Sequence, residues 1–201
     1  YAEFRHLMTA DVNAAVAGLF DGGASDVVVN DAHYTMRNLV LAELDPRVDY
    51  VRGSTKPLGM MQGLLDDSGR PVDAVAFVGY HAGAGQPGVL AHCHLANAVV
   101  DVRIGGVPTS EGRMNALLAA EVGVPVVLVT GDDVACADAE GYAPHAVFAV
   151  VKTAVDRYAA RVVPPLRTAA LIREAAARGA GATVLTYGTD PTADVRATGV
   201  E

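Results

Sequence analysis

Two of the six histidines in this 201-residue chain bracket a glycine-rich stretch, Phe77-Val-Gly-Tyr-His-Ala-Gly-Ala-Gly-Gln-Pro-Gly-Val-Leu-Ala-His92. A third lies in Asn30-Asp-Ala-His33, and Glu111 follows Ser110 at the start of an apolar-periodic segment. Imidazole together with carboxylate is the ligand set of zinc or a similar divalent ion, so His33, His81 and Glu111 are candidate ligands. The spacing is not that of the compact His-Glu-x-x-His helix, and each residue keeps an ordinary reading beside the chemical one. His33 suits a turn that bonds nearby backbone, and Asp31 an Asx-turn. A carboxylate at position 111 is favoured by the helix macrodipole whatever its function. His81 stands in a strand exit rich in glycine, which permits close approach of a ligand to the backbone. His92 and His94 flank Cys93, so in an extended segment both imidazoles share one face and either can serve as an acid/base group. The segment Gly79–Gly85 lacks the Gly-Lys-Ser/Thr of a P-loop and does not match Gly-x-Gly-x-x-Gly, so nucleotide binding is not expected. Asp132 and Asp133 read as helix caps, with support of a metal ligand as the alternative.

The elements that position these residues follow from periodicity. Phe4, Leu7, Met8, Val12, Ala15, Val16 and Leu19 give residues 3–20 the apolar face of a helix, stopped by Asp21-Gly-Gly23. Asp26–Asn30 is a β-branched run suited to a strand covered on both faces, and 31–37 follows its carboxyl end. A short helix near 38–44, a strand at 48–52, an apolar helix near 57–65 and a strand over Val72–Val78 come next. Leu95–Ile104 is β-prone and meets Gly105-Gly106, a hairpin signal. Ser110 caps a helix to about 122 with a stripe of Met114, Leu117, Leu118 and Val122. Val124–Thr130 and His145–Val151 read as further strands, and Pro164-Pro165 opens a helix that runs to Gly179. The stretch 181–201 holds one possible strand and a polar tail.

Continuous apolar strands alternating with helices indicate an α/β fold with a mainly parallel sheet flanked by helices, a β-hairpin insertion near 95–108 and a C-terminal helical segment. Ligands of such sheets sit at the carboxyl ends of the strands, where Asn30–His33, Gly79–His81 and Gly131–Asp133 all fall. Hydrophobic residues make up 51% of the chain, enough for a sizeable core. A net charge of −8, with Lys and Arg scattered singly, argues against nucleic acid as a partner. The apolar runs fall short of the roughly 18 to 20 residues of a membrane span. Cys93 and Cys136 are too few to staple the fold and read as reduced thiols of a cytoplasmic protein. The chain opens on Tyr1 rather than Met, with no leader pattern.

Several of these motifs, taken in order, carry a resemblance. Val29-Asn-Asp-Ala-His33 with Asn38-Leu39, Gly79-Tyr-His-Ala82, Pro87-Gly-Val-Leu-Ala-His92, Glu111 with Asn115-Ala116, Val126–Asp133, and Val151-Lys152 with Arg157 resemble the DppA-type zinc-dependent D-aminopeptidases, the M55 peptidase family. Met8–Ala15 is similar to the family's first helix, and the likeness runs from Tyr1 to about Pro165. The resemblance implies a two-zinc exopeptidase acting on short peptides that begin with a D-residue such as D-alanine, assembled as a ring-like homo-oligomer. It places His33 and Glu111 on one zinc and His81 on the other, and it makes His92 the catalytic residue. His94 and Cys93 have no counterpart.

The family also carries a strand with an Asp-x-Glu-Gly motif ahead of the first helix, whose aspartate bridges the metals and whose glutamate binds one of them. Neither Glu3 nor Asp11, both on the first helix, takes that place. Two of five ligand positions are therefore absent from the sequence given, and the expectation is a fragment of a longer enzyme rather than a catalytically incomplete relative. The expected organisation is an α/β metallopeptidase core over 1–160, without its N-terminal strand, and a C-terminal helix with an incomplete tail over 161–201. The expected chemistry is hydrolysis by metal-activated water with His92 moving a proton. A binding or assembly protein, or a hydrolase of another amide, are the alternatives.

Overall fold

The central strands of the protein are its most apolar runs, and each is covered on both faces. A computed structural model describes residues 2–95, 98–181, 187–188 and 195–196. In chain order these form α1 (Ala2–Asp21), β1 (Val28–Asn30), β2 (Asp49–Val51), β3 (Val75–Tyr80), β4 (Arg103–Ile104), β5 (Val107–Pro108) and α2 (Glu111–Glu121). They continue with β6 (Val126–Asp132), α3 (Asp133–Glu140), β7 (Val147–Asp156), β8 (Ala159–Val162), α4 (Pro165–Ala180), β9 (Tyr187–Gly188) and β10 (Val195–Arg196). The main sheet has the order β3-β6-β7-β8, parallel except for β8. β1 and β2 pair with each other in parallel, as do β9 and β10.

Alternation along β6 sorts its side chains between two cores. Leu128 joins Ala14, Ala15, Ile172, Ala175 and Ala176 under α1 and α4. Val129, its neighbour, joins Phe77, Ala116, Ala119, Ala139 and Ala143 under α2 and α3. Burial on both faces is why the strand reads as an unbroken apolar run. The two helices on the first face approach closely because α1 carries glycine at the crossing. A Cβ on Gly18 would lie 2.2 Å from the Arg173 carbonyl oxygen and 2.6 Å from Ala176 Cβ.

The first helix, the strands β1, β2, β3, β6 and β7, the Ser110-capped helix and the Pro-initiated helix stand where the periodicity predicts them, within a few residues. Four features differ. The expected helix near 57–65 is a single 3-10 turn over Gly59–Met61, because Gly59 and Gly63 adopt φ of +54° and +97° and break any α-helical run. Residues 38–44 likewise hold only a 3-10 turn, Leu41–Glu43. The β-prone stretch before Gly105-Gly106 pairs only at Arg103–Ile104, against Val107–Pro108, with both glycines at positive φ in the turn. β7 extends to Asp156 and turns back as β8, an antiparallel edge strand absent from the sequence reading.

The face of α2 is also rotated from expectation. Its buried residues are Glu111, Gly112, Asn115, Ala116 and Ala119, while Leu117 and Leu118 remain 47% and 49% exposed. The helix buries its small residues against the sheet and presents its large ones, with Ile104 and Met114, along an open groove. No helix of the described residues is long and apolar enough to cross a membrane.

Candidate metal centre

β3 aims the site through a bulge. Gly79 has φ +72° and the ladder to β6 shifts register between Phe77 and Tyr80. The Gly79 N–H that leaves the ladder donates instead to Thr130 Oγ1 at 2.8 Å. Tyr80 then turns inward, stacked on Phe77 with its hydroxyl accepting from Asn115 Nδ2 at 2.8 Å, and His81 leaves the strand at the carboxyl edge of the sheet.

His81, His92 and Glu111 converge there, each offering one ligand atom within 4.8 Å of the others. The two imidazoles stack, with centroids 4.0 Å apart and planes 18° from parallel. His81 Nδ1 faces the Ala82 carbonyl at 3.0 Å and His92 Nδ1 faces the Leu90 carbonyl at 2.6 Å. A carbonyl only accepts, so both Nδ1 atoms carry a proton, and in the neutral form of either ring the lone pair lies on Nε2. Glu111 Oε2 stands 3.7 Å from His81 Nε2. Two imidazoles and a carboxylate thus meet, a donor set that a cation can satisfy. Imidazole nitrogen with carboxylate oxygen, the set that His81 and Glu111 offer, suits zinc. Burial lowers the pKa of His81, and the neighbouring His92 and His33 lower it further, against the Ala82 carbonyl and Glu111 that raise it. The result favours the neutral, ligating imidazole.

Glu111 is held from two sides. It opens α2 directly after Ser110, whose hydroxyl accepts from Arg113 N and donates to Asp138 Oδ2 at 2.6 Å. Its Oε1 accepts the backbone N–H of His94 at 2.6 Å, which orients Oε2 toward His81. His94 does this from φ +51°, and Leu90, on the other side of His92, has φ +53°. Two non-glycine residues in the left-handed region shape the loop on either side of the imidazole, a backbone cost that accumulates at functional sites.

His33 sits apart from this trio, exposed in a turn at the end of β1, yet near enough for its charge to bear on His81. Its loop is built on Asp31, which is 4% exposed and accepts from Asn38 N, Asn38 Nδ2, Leu39 N and Tyr50 OH. Burial pushes the Asp31 carboxyl up, but these donors outweigh it and hold it below the usual range. Asn38 Nδ2 also bonds the His33 carbonyl at 2.5 Å, while α1 fastens the loop through Arg5 Nε to Asn38 O and Val40 N to Thr9 Oγ1. Lys56 Nζ bonds the Asp31 carbonyl at 2.7 Å and the Asn30 side chain.

Of the two aspartates expected to cap α3, only Asp132 does so, and it alone reaches the loop of the site. Asp132 caps α3 through Ala135 N at 2.7 Å, and its other oxygen accepts Val89 N at 2.5 Å, which anchors the loop leading to His92. Asp133 Oδ1 accepts Ala154 N and ties α3 to β7. Cys93 and Cys136 are free and buried, with Cys93 Sγ donating to the Thr109 carbonyl. Burial raises both thiols, Cys136 to about 11, so neither is a nucleophile at neutral pH.

The structural and sequence comparisons agree. A family model described as Peptidase M55, D-aminopeptidase, matches residues 1–196. The D-aminopeptidase of Bacillus subtilis (strain 168) is 37% identical over 174 residues, which cover 87% of this chain and 62% of that protein. The solved structure described as the Zn-dependent D-aminopeptidase DppA from Bacillus subtilis, a self-compartmentalizing protease, superposes with a TM-score of 0.81 at 36% identity, over 86% of this chain and 61% of the other. The chain therefore spans a little over three fifths of the length of these relatives.

Proposed function

The chain belongs to the M55 family of D-aminopeptidases, and on that premise we propose that it is a zinc-dependent aminopeptidase that removes an N-terminal D-residue, such as D-alanine, from short peptides. The observation that carries the reading is the convergence of His81, His92 and Glu111 with their acceptor atoms facing one another. His81 and Glu111 are metal ligands, and His33, at the end of β1 in the separate two-stranded sheet, is a third, for a centre of two ions per subunit whose other ligands come from outside these residues. Zinc held there supplies a Lewis acid and a water whose pKa is near 7.

The chain's own residues do the rest. Glu111, its Oε1 fixed by His94 N–H, presents a single oxygen in a set direction. His92 Nδ1 faces the Leu90 carbonyl, which orients the ring and leaves Nε2, outside the metal's ligand set, as the atom that takes a proton from the attacking water and returns it to the leaving amine. Tyr80, stacked on Phe77 and bonded through its hydroxyl to Asn115 of α2, packs the strand end from which His81 projects. Buried free thiols are in keeping with a cytoplasmic protein. A second copy of the chain is the partner that suits the exposed apolar face of α2, in a ring-like homo-oligomer.

The test is release of D-alanine from D-Ala-D-Ala by the purified protein with and without zinc. Release that requires zinc and returns when zinc is restored after chelation supports the reading. Release that survives exhaustive chelation, or equal turnover of the L,L-peptide, contradicts it.

A further inference from the structure

Asn30, which closes β1 ahead of His33, is gripped at both ends of its side chain by one short segment. Its Nδ2 donates to the Met60 carbonyl at 2.7 Å and to the Gly59 carbonyl at 3.4 Å, and its Oδ1 accepts from Lys56 Nζ. Chemistry fixes which way the amide points, since an ammonium only donates and a carbonyl only accepts. Lys56 Nζ also donates to the Asp31 carbonyl at 2.7 Å, so one ammonium holds two consecutive residues at the carboxyl end of β1.

The gripping segment is anchored in the other half of the molecule. Met61 and Leu64 are buried in the core that contains Phe77, Ala116 and Val129. Asn115 Nδ2, one helical turn beyond Glu111, donates to the Tyr80 hydroxyl at 2.8 Å and faces Met60 Sδ at 3.7 Å. A Cβ on Gly63 would lie 3.1 Å from Val28 Cγ1, so the same segment also runs against β1. Among the described residues, β1 and β2 share no strand pairing with the β3-β6-β7-β8 sheet. The two sheets are joined instead by α1, with Ala14 and Ala15 in one core and Val16 in the next, and by residues 56–64.

We propose that Asn30 is a positioning residue, and that its clamp by Lys56 and Met60 sets where the His33 loop stands relative to His81 and Glu111. The inference rests on the reading of His33 as a zinc ligand. Zinc tolerates departures of only about 0.2 Å in its ligand distances, so a ligand carried on a separate two-stranded sheet needs a fixed attachment to the sheet that carries the others. The contacts supply one in three links. The loop hangs on Asn30 and Asp31, Asn30 is tied to Met60, and Met60 lies against Asn115, which bonds the tyrosine preceding His81 and stands on the helix that Glu111 opens.

The experiment compares the purified protein with Asn30→Ala, Lys56→Met and Lys56→Arg by competitive zinc titration and, without metal, by amide hydrogen exchange. Asn30→Ala should weaken zinc binding by about 10-fold or more, as loss of a residue that supports a metal ligand does. It should also speed exchange at Met36 and Asn38, whose N–H groups bond the His33 carbonyl and Asp31 Oδ2, and leave the Leu128 and Val129 amides unchanged. Lys56→Met should act in the same direction, and it carries the test from a half-buried position if Asn30→Ala folds poorly. Lys56→Arg, which still donates to both acceptors, should recover most of the affinity. Zinc bound by the wild type and equally by Asn30→Ala and Lys56→Met refutes the clamp and leaves the metal reading standing. No zinc in the wild type, with loop exchange that depends on Asn30, refutes the metal reading and leaves the clamp standing. Loop exchange that is equal in all four proteins overturns the clamp outright.

Discussion

Replacing Asp11 with Asn should stabilise the protein above pH 6 and do almost nothing near pH 4. Asp11 sits on α1, partly buried, with Lys152 of β7 as the opposing charge that acts on it and, among the described residues, no hydrogen bond to hold its oxygens. Burial raises its pKa from 3.8 to about 6, and the attraction of Lys152 offsets only part of that. A carboxyl whose folded pKa is raised contributes stability that is fully present below the unfolded value and lost as pH rises through the folded one. The shift of about 2 units corresponds to about 3 kcal/mol at full ionisation. Partial solvation reduces this to about 1–2 kcal/mol. Asn keeps the shape and removes the charge, so Asp11→Asn recovers that amount at pH 7–8. At about 2–4 °C per kcal/mol for a chain of this length, the midpoint rises by about 2–8 °C. Thermal unfolding of both proteins followed by circular dichroism from pH 4 to pH 8 measures the difference, which should grow between pH 4 and 6 and then level off. A difference independent of pH, or a loss of stability at pH 8, would show that the ion pair with Lys152 outweighs burial and refute the reasoning.

Other residues give sharper structural tests. Gly18→Ala places a methyl against the Arg173 carbonyl and Ala176, both within 2.6 Å, and should cost about 1–3 kcal/mol in denaturant unfolding; an unchanged midpoint would mean that α1 and α4 are not packed as described. Asp132→Ala removes the cap of α3 and strands the Val89 N–H, for a loss of about 2–4 kcal/mol, whereas Asp132→Ser restores the cap alone and should recover only about half. Equal recovery would deny the loop anchor. Leu117→Glu with Leu118→Glu should yield smaller species in sedimentation without changing monomer unfolding by more than about 0.5 kcal/mol. Unaltered sedimentation would place the assembly contacts elsewhere.

Much of the site was legible before the fold because strand ends announce themselves. The apolar runs expected to end at Asn30, Val78 and Thr130 lead to the carboxyl edges of β1, β3 and β6, and the serine before Glu111 is a true cap. What the chain order concealed is how those ends are tied together. The His94 N–H on Glu111, the Asp132 oxygen on Val89 and the Asp138 bridge to Ser110 and Gln86 join residues from 17 to 52 positions apart, and no local pattern encodes them. The face of α2 was misread for a related reason. Leucine periodicity marks an apolar stripe but not which surface covers it, and here close packing against the sheet selects Gly112, Ala116 and Ala119 and leaves the leucines outside. The 57–65 segment shows the limit of apolar content, since two glycines at positive φ decide the backbone there.

The central claim is that His81 and Glu111 are metal ligands, and zinc content tests it most directly. The purified protein, dialysed against zinc and then against metal-free buffer, should retain zinc by elemental analysis. His81→Ala and Glu111→Gln should each lose most of it while keeping a native circular dichroism spectrum. Wild-type levels of zinc in both folded variants, or none in the wild type, would contradict the account.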